Sequence, residues 1–338
     1  MRFLLVHPAF LGDTVFLGPA VRALKSRWPA CEVALVVSPR GEAAARLLPG
    51  ADEVFVFDKR RADSGLRGVL RLGARVRAFA PDVALVSHPS ARSGSVAWLS
   101  RAPRRIGPAP FCNDRVALDR GRPFVDLALA LAARAGAPSE DRRLRLDPPA
   151  ELEGYAAGLL GGARRPLVGI VPGAEWATKR WGEGKYAELA GRLARGGATV
   201  LLLGGPGEQD LARRIAAGCR APLLDTTGNS IAEALALLAR CDLVVGGDTG
   251  LVHCARALGR PALLIFGPTD PARHLFLADE RSVRIELDCS PCHDHGPERC
   301  PLGHHRCMTD LEVDEVERQA RALLSAGEKR RAESKGTA

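Results

Sequence analysis

Leu243-Val244-Val245-Gly246-Gly247-Asp248-Thr249-Gly250-Leu251-Val252-His253 is the stretch on which the fold turns. A short apolar run with two β-branched residues enters paired glycines and then a segment of helical period. This is the strand, turn, helix order of an α/β unit. A Gly-rich turn feeding a helix N-terminus presents backbone N–H groups and the positive end of the helix dipole, an anion site suited to a diphosphate. No Gly-Lys-Ser/Thr follows, so it is not a Walker loop. The glycine spacing is not Gly-x-Gly-x-x-Gly either, which argues against a nicotinamide cofactor. A plain N-cap from Asp248 and Thr249 is the simpler alternative, and His253 reads as a packed helix residue.

The same alternation extends outward on both sides. Strands are expected near Phe3 to Val6, Val33 to Val37, Val54 to Phe57 and Val83 to Val86, with helices over Leu17 to Arg27 and Leu66 to Phe79. A break follows at Asp147, Pro148 and Pro149, and a second polar, Gly/Pro-rich stretch runs from Gly161 to Pro166. Strands resume at Leu167 to Val171, Val200 to Leu203, Leu243 to Val245 and Ala262 to Ile265. The 338 residues are enough for two domains at roughly 150 each. The expected organisation is a Rossmann-like domain over residues 1–155 and a second over 156–326. A charged tail over 327–338 is expected to be disordered, and a cleft between the domains is the default ligand site.

Composition narrows the function. At 46% apolar and 5% aromatic residues the chain is globular with an aliphatic core, which excludes disordered, collagenous and coiled-coil classes. The net charge of +9 fits a partner bearing phosphate or carboxylate groups. Basic residues spread along an α/β chain, with few aromatics for stacking on bases, argue against nucleic acid. Arg2 before Phe3-Leu4-Leu5-Val6 mimics a signal peptide, but Asp13 interrupts the run and no small-residue cleavage pattern follows. No stretch approaches the roughly 18 uncharged apolar residues of a membrane span. The expectation is a cytoplasmic protein.

Three further turns carry candidate chemistry. The first strand ends in His7-Pro8-Ala9-Phe10-Leu11-Gly12-Asp13-Thr14, where Gly12 permits close approach of a ligand and Asp13 either faces the cleft or caps the next helix. Val171-Pro172-Gly173-Ala174-Glu175-Trp176-Ala177-Thr178-Lys179-Arg180-Trp181 places two cations between two indoles, suited to clamping phosphate. Glu208, after Gly204-Gly205-Pro206-Gly207, is placed to accept hydrogen bonds from ribose hydroxyls. Arg67, Arg71 and Arg75 recur every four residues and read as a solvated helix face, opposite or beside apolar Leu66, Val69, Leu70, Val76 and Phe79. Cys289, Cys292, Cys300 and Cys307, interleaved with four histidines, could hold a structural metal or act as buried or redox-active thiols.

Taken together and in order, the Gly12-Asp13 turn, Lys179-Arg180-Trp181, Asp248-Thr249-Gly250-Leu251-Val252-His253 and Phe266-Gly267-Pro268-Thr269-Asp270-Pro271 resemble the ADP-heptose:lipopolysaccharide heptosyltransferases, glycosyltransferase family 9. The segment from Cys289 to Cys307 is most like the heptosyltransferase II branch. The resemblance implies a GT-B architecture, two doubly wound Rossmann-like domains facing a central cleft. It implies metal-independent, inverting transfer of a sugar from an ADP-sugar donor, with no cofactor required. In keeping with that, no Asp-x-Asp occurs in the chain. By similarity Asp13 is the general base and Lys179 steadies the leaving phosphates. Glu208 holds the ribose. Gly12, Thr178, Arg180, Asp248, Thr249, Gly250 and Leu251 complete the donor site. Lys59, Arg60 and Arg61, at a strand end, are expected to meet an anionic lipopolysaccharide-core acceptor at the membrane surface, which would place the protein peripherally on the inner face of the inner membrane. A nucleotide-sugar epimerase, a transferase for another sugar, and a metal-responsive or nucleic-acid-binding module are the alternatives. An epimerised sugar formed from the nucleotide-sugar with no acceptor present would mark the first.

Overall fold

The computed structural model describes residues 1–117, 119 and 121–336. The chain divides into two compact units, Met1–Asp147 and Pro148–Ala338. The change falls at the start of the polar stretch rather than at residue 155, because the short helices Ala150–Leu152 and Glu153–Leu160 pack on helix Ile231–Leu238 of the second unit.

In the first unit, strands β1 (Arg2–His7), β2 (Glu32–Val37), β3 (Glu53–Val56), β4 (Val83–Val86), β5 (Arg104–Gly107) and β6 (Asp114–Arg115) form one parallel sheet in the order β3-β2-β1-β4-β5-β6. In the second, β7 (Leu167–Val171), β8 (Thr199–Leu202), β9 (Leu224–Asp225), β10 (Leu243–Gly247), β11 (Ala262–Ile265) and β12 (Glu280–Val283) repeat that plan as β12-β11-β10-β7-β8-β9. Both are doubly wound, with the order reversing beside the first strand of each unit, where ligands of such sheets bind. The strands buried on both faces were legible as continuous apolar runs. The edge strands β6, β9 and β12, and β5 next to the edge, are short or charged and gave no such signal.

Each unit has its own aliphatic core. One gathers Leu4, Val36, Phe55, Leu72, Val86 and Val96; the other gathers Ile170, Leu189, Leu202, Val245, Leu263 and Val316. Trp181 belongs to the second core, 2% exposed and edge-on to Tyr186 at 5.2 Å, with its indole N–H donating to the Leu311 carbonyl. It is therefore packing, not a wall of the phosphate clamp.

Two expectations change. Helix Gly65–Ala78 buries Gly68, Val69, Leu72, Gly73 and Val76, which leaves Leu66 at 73% and Leu70 at 48% exposure among its arginines. Gly73 is needed there, because a Cβ would fall 2.6 Å from the Leu99 side chain of the neighbouring helix. The last helix runs Val313–Gly336, so the stretch from Gly327 is helical where disorder was expected; residues 337 and 338 lie outside the described residues. Its Glu, Lys, Arg and Ala content favours helix, and Arg331 ties it back to Asp242.

Candidate active site

The paired glycines of the opening stretch belong to the strand rather than the turn, and they act by leaving room for neighbouring backbone. Gly246 and Gly247 lie inside β10, fully buried. A Cβ on Gly246 would sit 2.7 Å from the Val171 carbonyl oxygen, and one on Gly247 would sit 2.7 Å from that of Lys179. The turn proper is Asp248-Thr249, and helix Gly250–Ala257 starts without any side-chain cap, its first-turn N–H groups at the carboxyl edge of the sheet. The N-cap alternative for Asp248 fails, because its carboxylate is buried and points elsewhere.

That carboxylate is the centre of a buried network. Lys179 Nζ donates to Asp248 Oδ2 at 2.6 Å and to its backbone oxygen at 3.0 Å. Thr269 Oγ1 donates to Oδ2 at 2.9 Å, while His253 Nε2 and His274 Nε2 lie 2.9 and 3.4 Å from Oδ1. The two imidazoles stack at 4.7 Å. Behind them Arg256 contacts His253 Nδ1 at 3.2 Å and pairs with Glu280 at 2.8 Å. Burial pushes the Asp248 pKa up, but Lys179 and the His253 hydrogen bond outweigh it and hold the carboxyl well below its usual range. Burial lowers the pKa of both histidines against the pull of Asp248, so they sit neutral. Among the described residues, Asp248, His253 and His274 bring ligand atoms within 4.8 Å of one another. An ammonium already on the same carboxylate opposes a cation there, and the three read as a hydrogen-bonded scaffold for Lys179.

The other expected donor residues are placed unevenly. Glu208 is half-buried and packs over Gly173 and Gly204 at the ends of β7 and β8; a Cβ on either glycine would approach it within 2.5 or 2.8 Å. Thr178 donates its hydroxyl to Pro297 O at 2.5 Å. Arg180 commits its guanidinium to the Ala174 carbonyl at 3.1 and 2.9 Å, bracing the loop. Thr249, Gly250 and Leu251 line the open helix start.

The cysteine segment lies against this loop. His305 Nε2 is 2.7 Å from the Thr178 carbonyl oxygen, and a Cβ on Gly296 would meet Lys179 and Trp176 at 3.2 Å. All four thiols are free. Backbone N–H groups, foremost that of His305, lower the Cys300 pKa, while burial and the three neighbouring cysteines push Cys307 up to about 11. Cys289 Sγ is 3.9 Å from His304 Nε2.

In the first unit, Gly12 and Asp13 fall inside the five-residue helix Leu11–Val15, not in a loop before it. Asp13 Oδ2 accepts from the Phe10 N–H at 3.1 Å, so the capping contact is present. Around Asp13 stand residues the sequence did not single out: His7 with Nε2 4.0 Å from Oδ2, and Ser87 with Oγ 2.6 Å from His7 Nδ1. Lys59 donates to Pro8 O at 3.0 Å; burial and then the Arg60 and Arg92 charges lower its pKa. The N–H groups of Arg60 and Arg61 donate to Asp58 Oδ1, which fixes the turn and leaves both side chains exposed.

Residues 69–300 match the family model of glycosyltransferase family 9 (heptosyltransferase). The lipopolysaccharide heptosyltransferase 2 of Salmonella typhimurium is 26% identical over 349 residues, covering 96% of this chain and 99% of that protein. Among solved structures, a family 9 glycosyl transferase from Veillonella parvula superposes with a TM-score of 0.86 at 21% identity, over 96% of this chain and 97% of that one. The ADP-heptose LPS heptosyltransferase II of E. coli superposes with 0.79 at 24% identity, over 97% and 100%. These likenesses establish the two-unit fold.

Proposed function

The chain belongs to glycosyltransferase family 9, the heptosyltransferases, and from that membership we propose that it moves a heptose from an ADP-heptose donor to the inner core of lipopolysaccharide. It is a glycosyltransferase; a nucleotide-sugar epimerase is not favoured. The observation that carries the donor reading is Lys179, whose ammonium is held by Asp248 at the open N-terminus of helix Gly250–Ala257. A fixed cation beside free-ended N–H groups neutralises a diphosphate without a metal ion.

In this reading Asp13 takes the proton of the acceptor hydroxyl as its oxygen attacks the anomeric carbon. The bond from that carbon to the diphosphate oxygen breaks, configuration inverts, and the electron pair leaves on ADP. Lys179 and the N–H groups of Gly250 and Leu251 receive the developing phosphate charge. Glu208 accepts from the ribose hydroxyls. Thr178 and Arg180 act through the loop they brace, and Gly12 and Thr249 through the backbone they offer. Asp248 holds Lys179 rather than touching the anionic diphosphate, which would repel it.

Lys59, Arg60 and Arg61 are read as the contact for the carboxylates and phosphates of the acceptor. That acceptor is lipid-anchored in this reading, so the protein would work peripherally at the inner face of the inner membrane. No helix among the described residues is long and apolar enough to cross a membrane. The cysteine segment supports Lys179. Among the described residues it is Asp248, His253 and His274, not Cys289, Cys292, Cys300 and Cys307, that bring ligand atoms within 4.8 Å of one another. Burial raises the Cys292 and Cys307 pKa against the thiolate a metal needs, so the four are read as thiols of a packing segment rather than as metal ligands.

The test is incubation of purified protein with ADP-heptose and a lipopolysaccharide lacking the outer heptose. ADP release and an acceptor mass gain of one heptose support the reading, as does activity that survives brief EDTA treatment. Conversion of the donor sugar without acceptor would overturn it.

A further inference from the structure

The register of β1 against β4 sets Val6 opposite Val86, so the next residues, His7 and Ser87, emerge side by side at the carboxyl edge of the first sheet. Ser87 is 6% exposed, and its Oγ lies 2.6 Å from His7 Nδ1. The far nitrogen of the same ring, Nε2, is buried, has no hydrogen-bond partner among the described residues, and stands 4.0 Å from Asp13 Oδ2. A buried imidazole nitrogen aimed at a carboxylate across a gap of this size is an expensive arrangement unless the gap closes in use.

We propose that His7 is a positioning residue for Asp13, anchored by Ser87 and delivering an Nε2–H to the carboxylate as the acceptor binds; this rests on the reading of Asp13 as the base. The tautomer follows from electrostatics. If Nδ1 carried the proton, the Nε2 lone pair would face the carboxylate lone pairs. If Ser87 donates its hydroxyl proton to Nδ1, the proton sits on Nε2 and the interaction is attractive. His7 and the Phe10 N–H then grip the same oxygen, Oδ2, from two elements, β1 and the turn before helix Leu11–Val15, which fixes the plane of the carboxylate. The arrangement copies the logic of a base oriented by a third group, with the roles of imidazole and carboxylate exchanged. The other charged or titratable groups around the ring are His88, edge-on at 5.9 Å, and Lys59 on the Pro8 carbonyl, with the Arg92 charge felt at Lys59.

The test compares turnover of His7→Phe, His7→Gln, Ser87→Ala and Asp13→Asn as full-length, folded protein. His7→Phe keeps a ring and loses the donor. Its kcat is expected to fall about ten- to hundredfold, the scale of one charge-assisted hydrogen bond, with both KM values within twofold. His7→Gln restores an N–H and should recover part of the loss, while Ser87→Ala should fall between wild type and His7→Phe. The acid limb of the kcat profile should move to higher pH in His7→Phe, since an N–H on the carboxylate favours its charged form. In the Asp13→Asn background the His7 substitution should cost nothing further. A His7→Phe enzyme within twofold of wild type, beside an inactive Asp13→Asn, would overturn the proposal and leave Asp13 as base. A fully active Asp13→Asn would overturn both. Should His7→Phe fail to fold, an unchanged kcat in Ser87→Ala would overturn the proposal by itself.

Discussion

Lys179 and Asp248, 69 residues apart in sequence, form a buried ion pair of 2.6 Å that places the ammonium against the start of helix Gly250–Ala257. The pair joins the end of β10 to the loop after β7, and it decides what each residue can do. Asp248 stays ionised, its charge met by Lys179 and by hydrogen bonds rather than by a ligand, and Lys179 is held in one orientation with a donor to spare.

Lys179→Met should lower kcat by on the order of 10² to 10³, the loss seen when a donor to developing transition-state charge is removed. Asp248→Asn should lose activity and also stability, by about 3 to 5 kcal/mol, since it strands a buried ammonium. Denaturant unfolding beside steady-state kinetics checks both. An Asp248→Asn protein as stable as wild type would remove the scaffold role.

Gly247→Ala is expected to damage turnover more than its small size suggests, because the new Cβ must displace the Lys179 carbonyl. Overpacking of this kind costs about 1 to 3 kcal/mol. Gly246→Ala, which instead presses on the Val171 carbonyl and the Val252 side chain, should cost similar stability with less effect on donor KM. Equal KM values for the two variants would contradict the assignment of Gly247 to the Lys179 loop.

Acid should weaken the fold early. His253 and His274 are held neutral by burial in the folded chain, whereas in the unfolded chain each gains a proton as pH falls through about 6.5. The unfolded state then binds more protons, so unfolding free energy drops by up to about 1.4 kcal/mol per pH unit for each histidine. Asp248, held well below its usual range, adds its own loss only under about pH 4. Melting temperature followed from pH 7 to 5 checks this, with His253→Gln expected to shallow the slope. A flat profile would show that the two rings are not buried neutral.

Arg60→Ala/Arg61→Ala should leave donor KM nearly unchanged and lower acceptor kcat/KM by at least roughly tenfold, since charge-assisted contacts contribute about 1.5 to 3 kcal/mol each. The loss should shrink at high salt. The turn itself survives the change, because it is the backbone N–H groups of both residues that bind Asp58. Unchanged acceptor kinetics at low salt would return the pair to ordinary solvated surface.

The sequence by itself determined the fold class, the central strands and the two strand ends after which Asp13 and Asp248 follow. Apolar runs such as Val33 to Val37 and Leu243 to Val245 are buried on both faces, and a local pattern suffices to mark them. It also gave Lys179, Glu208 and the cysteines as residues of interest, through motif order. What each of these does was decided only by tertiary structure. The partners of Lys179, His7 and Thr178 lie 69, 80 and 119 residues away, so no window of sequence contains both sides of the contact. Gly246 and Gly247 read as part of a turn and proved to lie inside β10, as room for neighbouring carbonyls. Leu66 and Leu70 looked like a packed face and are exposed, because which stripe of an apolar helix turns inward depends on what it meets. Hydrophobic periodicity is a property of adjacent residues and is written along the chain; the charge, orientation and neighbours of a buried polar group are set by strands that meet only after the sheet has formed.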